Sequence, residues 1–115
     1  MAQAKALEVG FEKEKPNLFK YGPLELNEAS FVATLEGEPM ELTRSEFRLL
    51  QALLENQGKV LTRYQLIDRV QGEGVAVVGR TVDTHVFGLR RKLGPYTNLI
   101  ETVRGVGYRI GYLEP

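Results

Sequence analysis

Two arginine-bearing segments, close together in the chain, hold the residues best suited to binding chemistry. The first, RTVDTHVFGLRRKL, spans 80–93; the second, IETVRGVGY, spans 100–108 after a break at Gly94-Pro95. At about 100° per residue, Val82, Val86, Leu89 and Leu93 share a narrow arc and must face a core. Arg80, Thr84, Gly88 and Arg91 then lie near the opposite side, with Thr81 and Phe87 on its flanks. Arginine grips guanine or phosphate through a forked pair of hydrogen bonds, and small residues let a helix backbone sit deep in a groove. Such a face suits the major groove of DNA. The competing reading is the solvated side of an ordinary surface helix.

In the second segment, residues 100–103 and 108–110 alternate as two strands around Arg104-Gly105-Val106-Gly107. Glycines at 105 and 107 permit the positive φ angles of a tight hairpin. An arginine at that tip has no local partner and can enter a narrow, electronegative minor groove. A solvent-exposed arginine without a role loses ground because the hairpin directly follows the cationic helix.

Catalytic chemistry has little to work with. The chain has one histidine, His85, and no cysteine, so neither a zinc set nor a disulfide is expected. Asp83 and His85 are two positions apart on a helix and do not share a face. GEGVAVVG, residues 72–79, lacks the lysine of a P-loop and the spacing of a dinucleotide-binding loop. We expect no enzyme, no cofactor and no metal.

The elements that position these residues follow from pattern. At 115 residues with 43% hydrophobic content, the chain has room for one domain with a modest core. No apolar run approaches the roughly 18–20 residues that span a bilayer, and no signal peptide opens the chain, so a cytoplasmic location is expected. The net charge is zero but unevenly spread: residues 1–58 hold 10 acids and 6 bases (−4), residues 59–115 hold 5 acids and 9 bases (+4). Asymmetry of this kind points to a nucleic-acid-facing surface in the second half.

Residues 1–17 are charged, lack sustained periodicity and read as a tail or linker. From Leu18 to Leu42 the segments LFKY, LEL, SFVATL and PMEL alternate with turn-forming clusters, which predicts a four-stranded antiparallel meander. Phe31, Ala33 and Leu35 alternate against Val32 and Thr34, as in a strand with one buried face. Thr43-Arg44-Ser45-Glu46 is a capping-box sequence; Phe47, Leu50, Leu53 and Leu54 follow at helical spacing, and Gly58 suits a left-handed stop. Thr62 starts a second helix with Leu66, Ile67 and Val70 as its apolar stripe. QGEGVAVVG, residues 71–79, reads as a loop before the third helix.

Strands, three helices and a hairpin, in that order, describe an α+β winged helix-turn-helix. The detail goes further. ELTRSEFRLLQALLENQGKVLTRYQLIDRV, RTVDTHVFGLRRKL and IETVRGVGYRI closely resemble the effector domain of OmpR/PhoB-type response regulators, over about residues 18–112. The pairing of RTVDxHV with TVRGxGY carries most of the specificity. This resemblance implies a winged-helix domain over 18–115 that binds double-stranded DNA and controls transcription within a two-component phosphorelay. Dimers or tandem copies would occupy direct-repeat half-sites. With only about seventeen residues before the first predicted strand, a receiver domain is expected in a longer full-length regulator, the alternative being an orphan regulator without one.

Carried over by position, Thr81, Asp83 and Thr84 would lie near base edges, while Arg80, His85, Arg90 and Arg63 would meet phosphates. Thr102 and Tyr108 would touch DNA backbone from the wing, and Arg104 would enter the minor groove. Helical geometry adds Arg91 on the groove side. The chain departs from many relatives at Phe87-Gly88, where they carry basic residues; an apolar ring there suits a thymine methyl group rather than guanine. Gly88 would mark either close approach to DNA or a weaker helix. It also has Gln71-Gly72 in place of a common Trp-Gly. Loop 71–79, which in some relatives contacts RNA polymerase, is unusually apolar here and suits either a protein contact or packing on its own domain. The alternative reading is a winged helix that serves mainly as a protein–protein interaction module.

Overall fold

A computed structural model of the chain describes residues 11–15, 18–71 and 79–111, with side chains from 18–70 and 82–111. The first layer is an antiparallel sheet of strands β1 (Phe11–Lys15), β2 (Leu18–Tyr21), β3 (Leu24–Asn27), β4 (Val32–Leu35) and β5 (Glu38–Met40), in sequential order. The four expected strands are β2 to β5. A fifth is added at the edge by residues 11–15, which lie in the interval read as a tail: Phe11 pairs with Tyr21 and Lys13 with Phe19.

Turn chemistry sets the meander. Gly22, at φ +57 before Pro23, closes β2 onto β3; Glu36 and Gly37, at φ +55 and +82, form the paired left-handed residues of a two-residue hairpin between β4 and β5. Phe31 departs from the expected alternation. It lies in the loop before β4 at φ +56, where Asn27 Oδ1 accepts a hydrogen bond from the Ser30 amide at 3.2 Å. Its ring leaves the strand's buried face and packs at 4.7 Å from the Phe47 ring. Left-handed backbone costs a phenylalanine roughly 1–2 kcal/mol, which this ring contact helps offset.

Helix α1 (Arg44–Glu55) begins with the expected capping box: Thr43 Oγ1 accepts from the Glu46 amide at 3.1 Å, and Glu46 Oε1 accepts from the Thr43 amide at 2.9 Å. A cap of this kind contributes about 1 kcal/mol. Helix α2 (Arg63–Gln71) repeats the device, with Thr62 Oγ1 accepting from the Gln65 amide and Gln65 Oε1 accepting from the Thr62 amide. Helix α3 (Gly79–Leu93) follows, then a 3-10 segment, Gly94–Leu99.

The chain closes with β7 (Ile100–Val103) and β8 (Gly107–Ile110), joined by a third short strand, β6 (Leu61–Thr62), which pairs with β8. The core is continuous. Phe19, Tyr21, Leu24 and Leu26 from the sheet meet Phe47, Leu50, Leu53 and Leu54 of α1, Leu66 of α2, and Val82, Val86, Leu89 and Leu93 of α3. All four α3 residues predicted to face inward are buried. Tyr21 ties the sheet to the far end of the chain by donating its hydroxyl to the Gly111 carbonyl at 2.6 Å.

Candidate nucleic-acid interface

Burial of Val82, Val86, Leu89 and Leu93 turns the other side of α3 outward, and Thr84, Phe87 and Arg91 are exposed there. The Arg91 guanidinium lies 5.9 Å from the centre of the Phe87 ring, one turn earlier on the helix. Arg80 and Thr81 belong to the first turn of α3; their side chains, like the whole of 72–78 with its apolar run, lie outside the described residues. His85 is half-buried on the flank.

The opposite flank of α3 is tied to its neighbours through Asp83. Its Oδ1 accepts from Arg63 Nε at 2.9 Å and from the Tyr108 hydroxyl at 2.6 Å, joining the start of α2 and the second turn of α3 to the wing. Asp83 was expected near base edges and Arg63 on phosphate; the structure shows the Asp83 carboxylate holding Arg63 and Tyr108 as internal partners. Hydrogen bonds from Arg63 first, and then Tyr108, hold the Asp83 carboxyl below the usual carboxylate range. Asp83 in turn raises the Arg63 guanidinium above its ordinary value. Burial, followed by the bond to Asp83, pushes the Tyr108 phenol up.

Tyr108 is only 5% exposed, so its ring is part of the core. Two guanidinium groups flank that ring, Arg63 at 5.8 Å and Arg90 at 5.7 Å from its centre. Arg90 also donates Nε and Nη2 to the Ile100 carbonyl and Nη2 to Thr102 Oγ1 at 2.8 Å. Thus Arg63, Asp83, Arg90, Thr102 and Tyr108, expected as separate contacts, form one connected brace between the helices and the wing.

At the wing tip, Arg104 is exposed and, among the described residues, has no hydrogen-bond or ion-pair partner. Gly105 takes the expected positive φ, +76, and the Val106 amide closes the turn onto the Val103 carbonyl at 2.9 Å. Gly107 is needed for a different reason from the one expected. A Cβ there would lie 2.0 Å from the Leu61 carbonyl oxygen, because β6 crosses directly against it.

Gly88 is also corrected. It is half-buried against α1, and a Cβ at this position would lie 2.6 Å from Glu46 Oε2. The close approach seen in the structure is to the Glu46 side chain of α1. Glu46 is a node that sequence reasoning placed only in the capping box; its Oε1 also accepts from Lys92 Nζ at 2.7 Å. A glutamate and a lysine on different helices give no local signal, so only the tertiary packing reveals this pair.

Residues 37–110 match the family model described as "Transcriptional regulatory protein, C terminal". The chain belongs to that family. It is an OmpR/PhoB-type winged-helix domain, and it spans about two fifths of the length of the curated relatives it matches. The phosphate regulon transcriptional regulatory protein PhoB of Pseudomonas aeruginosa is 47% identical over 89 residues, covering 76% of this chain and 39% of that protein. Among solved structures, the DNA-binding domain of CpxR from E. coli superposes with a TM-score of 0.73 at 31% identity, covering 84% of this chain and 98% of that one. The Klebsiella pneumoniae RstA DNA-binding domain in complex with the RstA box gives 0.70 at 28% identity, covering 82% of this chain and 96% of its own.

Proposed function

We propose that this domain binds double-stranded DNA sequence-specifically as the output domain of a response regulator and so controls transcription. One observation carries the reading: the side of α3 opposite the core exposes Thr84, Phe87 and Arg91, and Arg104, without a partner among the described residues, lies on the wing beyond it. A helix in the major groove and an arginine in the adjacent minor groove match that arrangement. Thr84 and Arg91, with Thr81, are the base-edge candidates. Arg80, His85 and Thr102 are candidates for phosphate, with Arg63 and Arg90 held beside them by the brace. Asp83 and Tyr108 act by positioning.

The finer parts of the reading rest on the family. They are a phosphorylated receiver in the full-length protein, direct-repeat half-sites, an RNA polymerase contact through loop 71–79 and a place in the cytoplasm. Titration of duplex DNA against salt tests the central claim. With Arg63, Arg80 and Arg90 neutralising phosphates, log affinity falls against log salt with a slope of about −3 per bound copy. A module devoted to protein contacts would bind no duplex even at low salt.

A further inference from the structure

Phe87 is 63% exposed on the outward side of α3, so its ring adds little to folding. Its neighbours on that side are Thr84, which is exposed, and Arg91, whose guanidinium packs against the ring. Gly88, next in sequence, turns toward Glu46 and places no side chain beside the ring. The middle of the outward helix face is therefore a phenyl group with no donor or acceptor.

In the major groove, base edges present donors and acceptors at every pair, and the one apolar feature is the C5-methyl group of thymine. A phenyl ring over guanine, cytosine or adenine would strip water from polar atoms and return no hydrogen bond. Over thymine it covers a methyl group instead. We infer that Phe87 is a specificity-determining residue that reads thymine through its 5-methyl group, with Arg91 held by the ring for the neighbouring guanine or phosphate. The inference rests on the DNA-binding reading above.

The test uses duplexes recovered by this chain from a random pool, with each thymine replaced in turn by deoxyuridine, which removes the methyl group alone. Wild type is expected to lose about fourfold in affinity at one position per half-site, the equivalent of ~0.8 kcal/mol for one buried methyl-sized group. Phe87→Ala should still bind but no longer distinguish thymine from deoxyuridine there, and its circular dichroism should match wild type. Bound duplexes that tolerate deoxyuridine everywhere would overturn the inference and leave DNA binding standing. So would deoxyuridine sensitivity that persists in Phe87→Ala, or a Phe87→Ala variant changed only in self-association. Failure to recover any duplex would remove the DNA-binding reading, and the inference with it.

Discussion

The hydroxyl of Tyr108 donates to Asp83 Oδ1 at 2.6 Å, a bond that runs from the wing to the second turn of α3. The same oxygen receives Arg63 Nε from α2. Three elements that a helix-turn-helix must hold at fixed angles therefore meet at one carboxylate oxygen. A nearly buried phenol needs such a partner, and losing it leaves an unsatisfied polar group.

Replacing Asp83 with alanine should lower stability by about 1 kcal/mol through the stranded Tyr108 hydroxyl, and weaken DNA binding at all sequences alike. Urea denaturation and duplex titration measure the two effects. Should Asp83→Ala instead relax base preference at a single position, the carboxylate reads a base and the brace is incidental.

Acid should undo the same joint. Because Arg63 and Tyr108 depress the Asp83 pKa, its contribution is present above the unfolded value of about 3.9 and is lost as pH falls through the lower folded value. For Tyr108 the folded pKa is raised, so its contribution is present below about pH 10 and is lost as pH climbs past the folded value. The stability gap between wild type and Asp83→Asn should then stay constant from about pH 5 to 9 and narrow progressively below about pH 4. A gap undiminished near pH 2.5 would mean that ionisation of Asp83 does not matter.

At the wing tip, Arg104→Ala should leave the unfolding midpoint unchanged, since its side chain is exposed and partnerless among the described residues. Affinity should drop by about 1–3 kcal/mol, with reduced preference for A·T-rich flanks. Equal affinity and equal flank preference in a competition assay would take the wing out of the mechanism.

Gly107→Ala should behave in the opposite way. Its Cβ would meet the Leu61 carbonyl oxygen at 2.0 Å and Thr62 Cα at 2.9 Å, backbone atoms with no rotamer to escape into. A loss of about 2–3 kcal/mol in chemical denaturation is expected, with β6 and the wing forced apart. An unchanged midpoint would contradict the packing of β6 on β8.

Thr84→Glu places a carboxylate on an exposed position of the outward face and should abolish specific binding while the far-ultraviolet spectrum stays native. Normal operator binding by this variant would disprove the groove assignment of α3.

Local patterns were legible in the sequence, and distant ones were not. Val82, Val86, Leu89 and Leu93 announce the buried side of α3 because helical periodicity is a property of neighbours. Thr43 with Glu46 likewise marks where α1 begins. Strand β1 was missed because FEKEK holds a single apolar residue, and pairing through backbone amides requires no side-chain alternation. Two-residue β6 is too short to leave a pattern. Asp83 was expected near base edges; its bond to Tyr108, which arrives from the wing, leaves no pattern in the local sequence. The packing at Gly88 and Gly107 was not legible, since the atoms that a Cβ would meet come from α1 and β6, distant in the chain.

Glu46 shares one volume with the missing methyl of residue 88 while its other oxygen holds both the Thr43 amide and Lys92. The two positions therefore cannot drift independently. A Cβ at 88 would require the Glu46 carboxylate to shift, and the same shift would disturb the Thr43 amide and the Lys92 ammonium that its other oxygen holds.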